Sequence, residues 1–206
     1  MEDVKRYLIL GGVRSGKSVY ALDLANRLGG RKLFVATAEA RDQEMKDRIA
    51  EHRARRGPDW DTAEDPIHIA HLLEQKAKNY KVILIDCLTL WLSNLILKYE
   101  EKKVKQLLDN FTRVLGRIKG CYVILVSNEV GMGIVPENKL ARAFRDWAGL
   151  MNQRIARTAD EVILMVAGVS TKIKGDGNSE TSPEAGGKER KLKHEGLSEG
   201  KPSGKA

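Results

Sequence analysis

The stretch that most limits what this chain can fold into is "YLILGGVRSGKS", residues 7–18. An apolar run ends in a glycine turn that fits G-x-x-x-x-G-K-[ST], and the helix-like segment "SVYALDLANRL" follows. The spacing has a local physical meaning. Gly11, Gly12 and Gly16 admit backbone conformations that other residues resist. Successive amide N–H groups then turn inward on a phosphate, and the helix beginning near Lys17 adds the positive end of its dipole. Gly11, Gly12, Val13, Arg14, Ser15, Gly16, Lys17 and Ser18 are therefore predicted to cradle a nucleotide. Lys17 is the candidate catalytic cation for the β- and γ-phosphates, and Ser18 is the candidate Mg²⁺ ligand. Arg14 is placed to touch phosphate or substrate. A chance glycine turn is the competing reading, and it does not account for a strand before the loop and a helix after it.

The rest of the chain repeats that strand-then-helix alternation. Apolar runs rich in β-branched residues occupy 6–10, 32–38, 81–87, 121–128 and 161–168. None alternates cleanly, so each reads as a strand covered on both faces. Helix-like segments lie between them at 17–28, about 40–56, 68–79, about 89–118 and 137–158. This pattern predicts an α/β, P-loop NTPase-like fold: a mostly parallel sheet with helices on both faces and right-handed crossovers. Residues 1–173 are expected to form that nucleotide-binding domain. Residues 174–206 carry no aromatic residue and only two leucines among many Gly, Ser, Lys and Glu. Such a segment cannot bury enough surface to offset its chain entropy, and a disordered tail is expected. His194, within it, is expected to be inert.

Composition narrows the function classes. Net charge is +8, which raises nucleic acid as a partner. The basic residues are nonetheless spread out, apart from "HRARR" at 52–56, and aromatic residues make up only 5% of the chain, few for stacking on bases. Anionic small molecules such as nucleotides suit the pattern, and nucleic acid is not expected. No apolar stretch reaches membrane-spanning length and the N-terminus lacks a signal-peptide pattern, so a cytoplasmic protein is expected. Cys87 and Cys121 fall in strand-like contexts and read as buried thiols. His68 and His71 lie three apart with no third ligand nearby, which favours surface or cap positions over a metal pair.

Two further features bear on chemistry. Asp86 ends the strand "VILID", where an acid can serve Mg²⁺ or cap the next helix. On the charged segment 39–60, a helix would put Arg48, His52, Arg55 and Arg56 on one side. A solvated charged face is the plain alternative. Nearby positive charge disfavours the imidazolium, so His52 should stay neutral and nucleophilic. The same arginines can hold a triphosphate while His52 attacks its α-phosphorus and expels pyrophosphate. After the strand ending near Ser127, "SNEVGMGIVPEN" marks a loop of special backbone. In it Asn128 and Glu129 can face phosphates or a substrate hydroxyl. Its Val130, Met132, Ile134 and Val135 can line a pocket, pack at a subunit boundary or simply pack the loop. The segment 137–158 carries Leu140, Phe144, Trp147, Met151 and Ile155 as a core or interface stripe.

Taken in order, "GGVRSGKS", "ATAEARDQEMKDRIAEHRARR", "WDTAE", "DCLTLWLSNL" and "SNEVGMGIVPENKLARAFRDWAGLMNQRIARTADEVILMVAGV" resemble the bifunctional adenosylcobinamide kinase / adenosylcobinamide-phosphate guanylyltransferase family of cobalamin biosynthesis. The resemblance runs from about residue 6 to 174. The phosphate loop is common to many families, whereas the "NEVGMGIVPEN" stretch and the His-bearing segment are specific. It implies that ATP or GTP phosphorylates the hydroxyl of adenosylcobinamide. GTP then donates GMP to that phosphate through a guanylylated histidine, giving adenosylcobinamide-GDP and pyrophosphate. Position by position, His52 matches that histidine. The implied nucleotide contacts are residues 11–18, Ala36, Thr37, Ala38, Arg53, Ala54, Arg55, Arg56, Glu64 and Asp86. Glu64 or Asp86 can accept from guanine N1–H and N2–H, and for Asp86 that role competes with Mg²⁺. A homotrimer with sites near subunit boundaries is implied as well.

Overall fold

The computed structural model describes residues 4–38 and 57–175. The expectations for a helix at about 40–56, for His52 and its arginines, and for the tail fall largely or wholly outside the described residues.

Seven strands form one sheet: β1 (Arg6–Gly11), β2 (Lys32–Ala36), β3 (Trp60–Glu64), β4 (Val82–Asp86), β5 (Tyr122–Asn128), β6 (Glu161–Val166) and β7 (Val169–Lys174). Their order is β3-β2-β4-β5-β1-β6-β7, parallel throughout except for the antiparallel β6–β7 pair. The described helices are α1 (Lys17–Leu28), α2 (Ile69–Lys76) with a 3₁₀ turn at Ala77–Asn79, α3 (Leu88–Lys98), α4 (Glu101–Arg117) and α5 (Lys139–Thr158).

Strand side chains alternate between two cores, as the pleat requires. Leu8, Leu10, Leu33, Val35, Ile83, Ile85, Val123 and Leu125 face one way, into the core completed by α2 to α5. Tyr7, Ile9, Phe34, Val82, Leu84, Ile124 and Val126 face the other, where Ala21 and Ala25 of α1 pack. Strands covered on both faces read as unbroken apolar runs, which is why the central strands are recognisable from sequence. Trp91 lies fully buried in the larger core, its ring tilted at 57° to that of Phe111 with centroids 5.1 Å apart and its indole N–H donating to Ile67 O at 2.9 Å.

The fold departs from expectation in three places. The segment 89–118 is two helices, with Tyr99 and Glu100 extended between them. Continuing α3 from its buried Leu88, Trp91, Leu92 and Leu95 would turn Lys102 and Lys103 inward. The break re-aims the chain so that Val104, Leu108, Phe111 and Leu115 face the core instead. β3 was not expected as a strand: "WDTAE" has no β-branched run and sits at the sheet edge, held by its parallel pairing with β2. β7 was also not expected. Ala167 (φ 50°) and Gly168 (φ 82°) make a two-residue turn after β6, and the chain returns as an edge strand.

Candidate functional site

Parallel strands end together, and their C-terminal ends form one edge of the sheet. Gly11 (β1), Asn128 (β5), Asp86 (β4), Ala36 (β2) and Glu64 (β3) are the last residues of their strands. The register pairs Gly11 with Asn128, Ala36 with Asp86, and Ala36 with Glu64. By strand parity all five point to the face that α1 covers. Residues separated by as many as 117 positions in sequence thus share one edge and one face. β3 stands four strand steps from β1 in the sheet order, which sets Glu64 roughly 19 Å from the glycine loop.

The loop itself has the geometry that its sequence predicts. Arg14 (φ 56°) and Gly16 (φ 91°) both lie in the left-handed region, and Gly16 is the N-cap of α1 with no side-chain cap, leaving the helix's first N–H groups available. Gly11 admits no side chain: a Cβ there would stand 2.4 Å from Ser15 Oγ and 2.6 Å from Met165 O. Neighbouring strands staple the loop in place. Glu129 N donates to Gly11 O at 3.1 Å, and Gly168 N donates to Ser15 O at 3.0 Å. Val13 and Arg14 are exposed, whereas Ser15 and Lys17 are buried and Ser18 is half-buried.

Lys17 Nζ donates to Gly12 O at 2.9 Å. Burial pushes its ammonium below the ordinary lysine range, and the charge of Asp86 pulls it only partway back. A desolvated cation beside backbone N–H groups is a strong attractor for anionic oxygen. Asp86 and Ser18 are hard oxygen ligands of the kind Mg²⁺ takes alongside phosphates. Among the described residues no group of three or more His, Cys, Asp or Glu is assembled. Two such oxygen groups beside the phosphate cradle fit an ion that arrives with a nucleotide.

Thr37 holds β2 to β4 beyond their ends. Its hydroxyl donates to Cys87 O at 2.7 Å and accepts from Cys87 N at 2.9 Å, and its own carbonyl accepts from Asn94 Nδ2 at 2.9 Å. The Asp86–Cys87 peptide is cis. Ala36 and Thr37 are buried, Ala38 and Asp86 half-buried and Glu64 exposed. The structure therefore brings the glycine loop, residues 36–38, Glu64 and Asp86 to one edge. His52, Arg53, Ala54, Arg55 and Arg56 lie outside the described residues. Both cysteines are free thiols, and burial pushes Cys87 up to about 11 and Cys121 to about 12, so neither supplies a thiolate. His68 stands at the N-cap position of α2 with no capping bond from its side chain, and His71 is exposed beside Gln75.

Sequence reading missed a buried polar chain behind the loop. Thr89 Oγ1 accepts from Asn128 N at 2.7 Å and lies 3.3 Å from Ser127 Oγ. Ser127 Oγ donates to Asn152 Oδ1 at 2.7 Å, and Asn152 Nδ2 donates to Asn128 O at 3.2 Å. The available signal was polar residues at apolar positions: Thr89 in "DCLTLW" and Asn152 within the α5 stripe. In the loop after β5, Val130 packs inward. Met132, Ile134 and Val135 are 80%, 96% and 63% exposed, so plain loop packing within the protomer does not describe them.

Comparison with known proteins places the chain in a family. Residues 7–173 match the family described as cobinamide kinase / cobinamide phosphate guanyltransferase, CobU. The bifunctional adenosylcobalamin biosynthesis protein CobP of Pseudomonas aeruginosa is 44% identical over 171 residues, which cover 83% of this chain and 98% of that protein. The CobU proteins of Salmonella typhimurium and Escherichia coli are 40% and 39% identical over 181 residues, covering 81% of this chain and 98% of each. A crystal structure of the RadB recombinase superposes with a TM-score of 0.48 at 14% identity, covering 79% of this chain and 74% of that one. The chain belongs to the cobinamide kinase / cobinamide phosphate guanyltransferase family, the bifunctional transferases of cobalamin biosynthesis.

Proposed function

We propose that this enzyme phosphorylates the free hydroxyl of adenosylcobinamide with ATP or GTP, and then transfers GMP from GTP to the new phosphate. The observation that carries the reading is the desolvated Lys17 inside a glycine loop that ends on an uncapped helix. In the first reaction, the substrate hydroxyl oxygen bonds to the γ-phosphorus as the bond to the β,γ-bridging oxygen breaks. Lys17 and the loop N–H groups hold the oxygens on which negative charge gathers. Ser18 and Asp86 are the residues that would hold Mg²⁺, which when bound neutralises phosphate charge.

In the second reaction, His52 takes the α-phosphorus and pyrophosphate leaves. A phosphate oxygen of the corrinoid then displaces the imidazole, giving adenosylcobinamide-GDP and restoring neutral His52. Arg53, Ala54, Arg55 and Arg56 are assigned to the GTP that reacts there, with Ala36 to Ala38. Glu64 is the stronger candidate to read guanine, because it stands far from the loop and is exposed. Asp86 stands nearer the loop and its charge is felt by Lys17, which suits the metal role. Function as a cytoplasmic homotrimer is part of the same reading.

Two substitutions separate the two chemistries. Lys17→Met should lower cobinamide phosphorylation by at least 100-fold. His52→Ala should abolish transfer of label from α-labelled GTP to the protein while phosphorylation continues. Label that persists in His52→Ala means another nucleophile, and unchanged kinase turnover in Lys17→Met removes the loop from the mechanism.

A further inference from the structure

Asn128 ends β5 directly across from Gly11, the first glycine of the loop, and its side chain shares that residue's face of the sheet. It lies between the loop and Asp86 in the strand order. Its backbone is fixed from three sides. Thr89 Oγ1 takes its N–H, Asn152 Nδ2 donates to its carbonyl, and the next residue's N–H bonds to Gly11 O. The side chain is treated differently. Its Oδ1 is buried and has no hydrogen-bond partner among the described residues. A buried acceptor left unmet is costly, and here it borders the phosphate cradle.

The chemistry of that atom restricts what can meet it. An amide oxygen accepts and does not donate. Ionised phosphate oxygens only accept, so the nucleotide's phosphates cannot satisfy it. Lys17 Nζ bonds to Gly12 O, and neither it nor the equally buried Ser15 Oγ bonds to Asn128 Oδ1. The donor that a kinase must bring to this place is the O–H of the alcohol to be phosphorylated.

We propose that Asn128 Oδ1 accepts the hydrogen bond of the substrate hydroxyl and aims its oxygen at the γ-phosphorus, an inference that rests on the kinase reading above. The new bond joins that oxygen to the γ-phosphorus, and the bond to the β,γ-bridging oxygen breaks. The proton leaves through an oxygen of the transferred phosphoryl group to water, because an amide is too weak a base to keep it. Asn128 thus positions the acceptor oxygen and has no part in the attack of His52 on GTP.

The test compares three rates in wild type and Asn128→Ala: cobinamide phosphorylation, nucleotide hydrolysis without cobinamide, and protein labelling by α-labelled GTP. Phosphorylation should fall about 10- to 100-fold, well beyond any fall in hydrolysis or labelling. Intact labelling shows that the variant is folded, and if Asn128→Ala does not fold, Asn128→Ser is read in the same three assays. Unchanged phosphorylation overturns the proposal. So does a proportional fall of phosphorylation and hydrolysis, which would assign the oxygen to a metal-bound water or to strand support. Failure of the wild type to phosphorylate cobinamide at all would instead reject the kinase reading.

Discussion

At the scale of single residues, the site holds groups at a cost that binding relieves. Lys17 is the clearest. Its pKa is lowered by burial, so the charged side chain destabilises the nucleotide-free fold at neutral pH. The sign follows from linkage: between the lowered folded value and the ordinary value near 10.4, the unfolded chain binds more protons, so stability rises with pH there. The same Lys17→Met variant that stops phosphorylation should therefore raise the nucleotide-free protein's stability by about 1 kcal/mol at pH 7. That gain should shrink as pH climbs through the lysine range. Thermal melts of both proteins at pH 7 and pH 10 check this, and a lower Tm for the variant at pH 7 contradicts it. Gly11 shows the same economy of space, since any side chain there collides with Ser15 and Met165.

At the scale of elements, β1 carries the loop, and its alignment depends on β6. Arg6 bonds Asp160 through Nε at 2.9 Å and Nη2 at 2.9 Å, and the Arg6 N–H adds a third bond at 2.7 Å. Burial alone pushes Asp160 upward, but the Arg6 bonds and charge outweigh it and the net shift is down. Its contribution is present above the ordinary carboxylate value near 3.9 and is lost as pH falls through the lowered one. The Asp160 side chain is 35% exposed, so screening limits the effect. Asp160→Asn should cost about 1 kcal/mol at pH 7, and the difference from wild type should vanish near pH 2. An equal penalty at both pH values would assign it to packing. The central strands, α1 and α5 were legible in sequence because burial on both faces or along one stripe writes itself into residue type. β3 and β7 were not, because edge strands owe their conformation to a neighbour's backbone, not to their own side chains. The break at Tyr99–Glu100 was legible in principle, through the lysines that a continuous helix would have buried. In the site, the glycine loop and Asp86 announce themselves locally. The placement of Asn128 opposite Gly11 depends on strand order, which no local pattern encodes.

At the scale of the whole molecule, the proposed homotrimer has a candidate contact surface in the loop after β5. Met132, Ile134 and Val135 stand in solvent, as does Leu140, which is 53% exposed at the start of the α5 stripe, while Trp147, Met151 and Ile155 of that stripe are buried. Exposed apolar residues grouped in one loop mark a contact surface. Light scattering should give about three times the chain mass of 23.0 kDa, and Ile134→Asp should shift it toward the monomer. A wild-type monomer would remove this surface from a subunit boundary. The central claim is that one nucleotide-binding edge performs two different transfers. The most direct test gives the wild-type protein GTP labelled at either the α- or the γ-phosphate, with cobinamide present. The account predicts γ-label on the corrinoid as phosphate, and α-label first on the protein in acid-labile, base-stable form and then in the corrinoid nucleotide. γ-label on the corrinoid with no α-label ever on protein or corrinoid would contradict it.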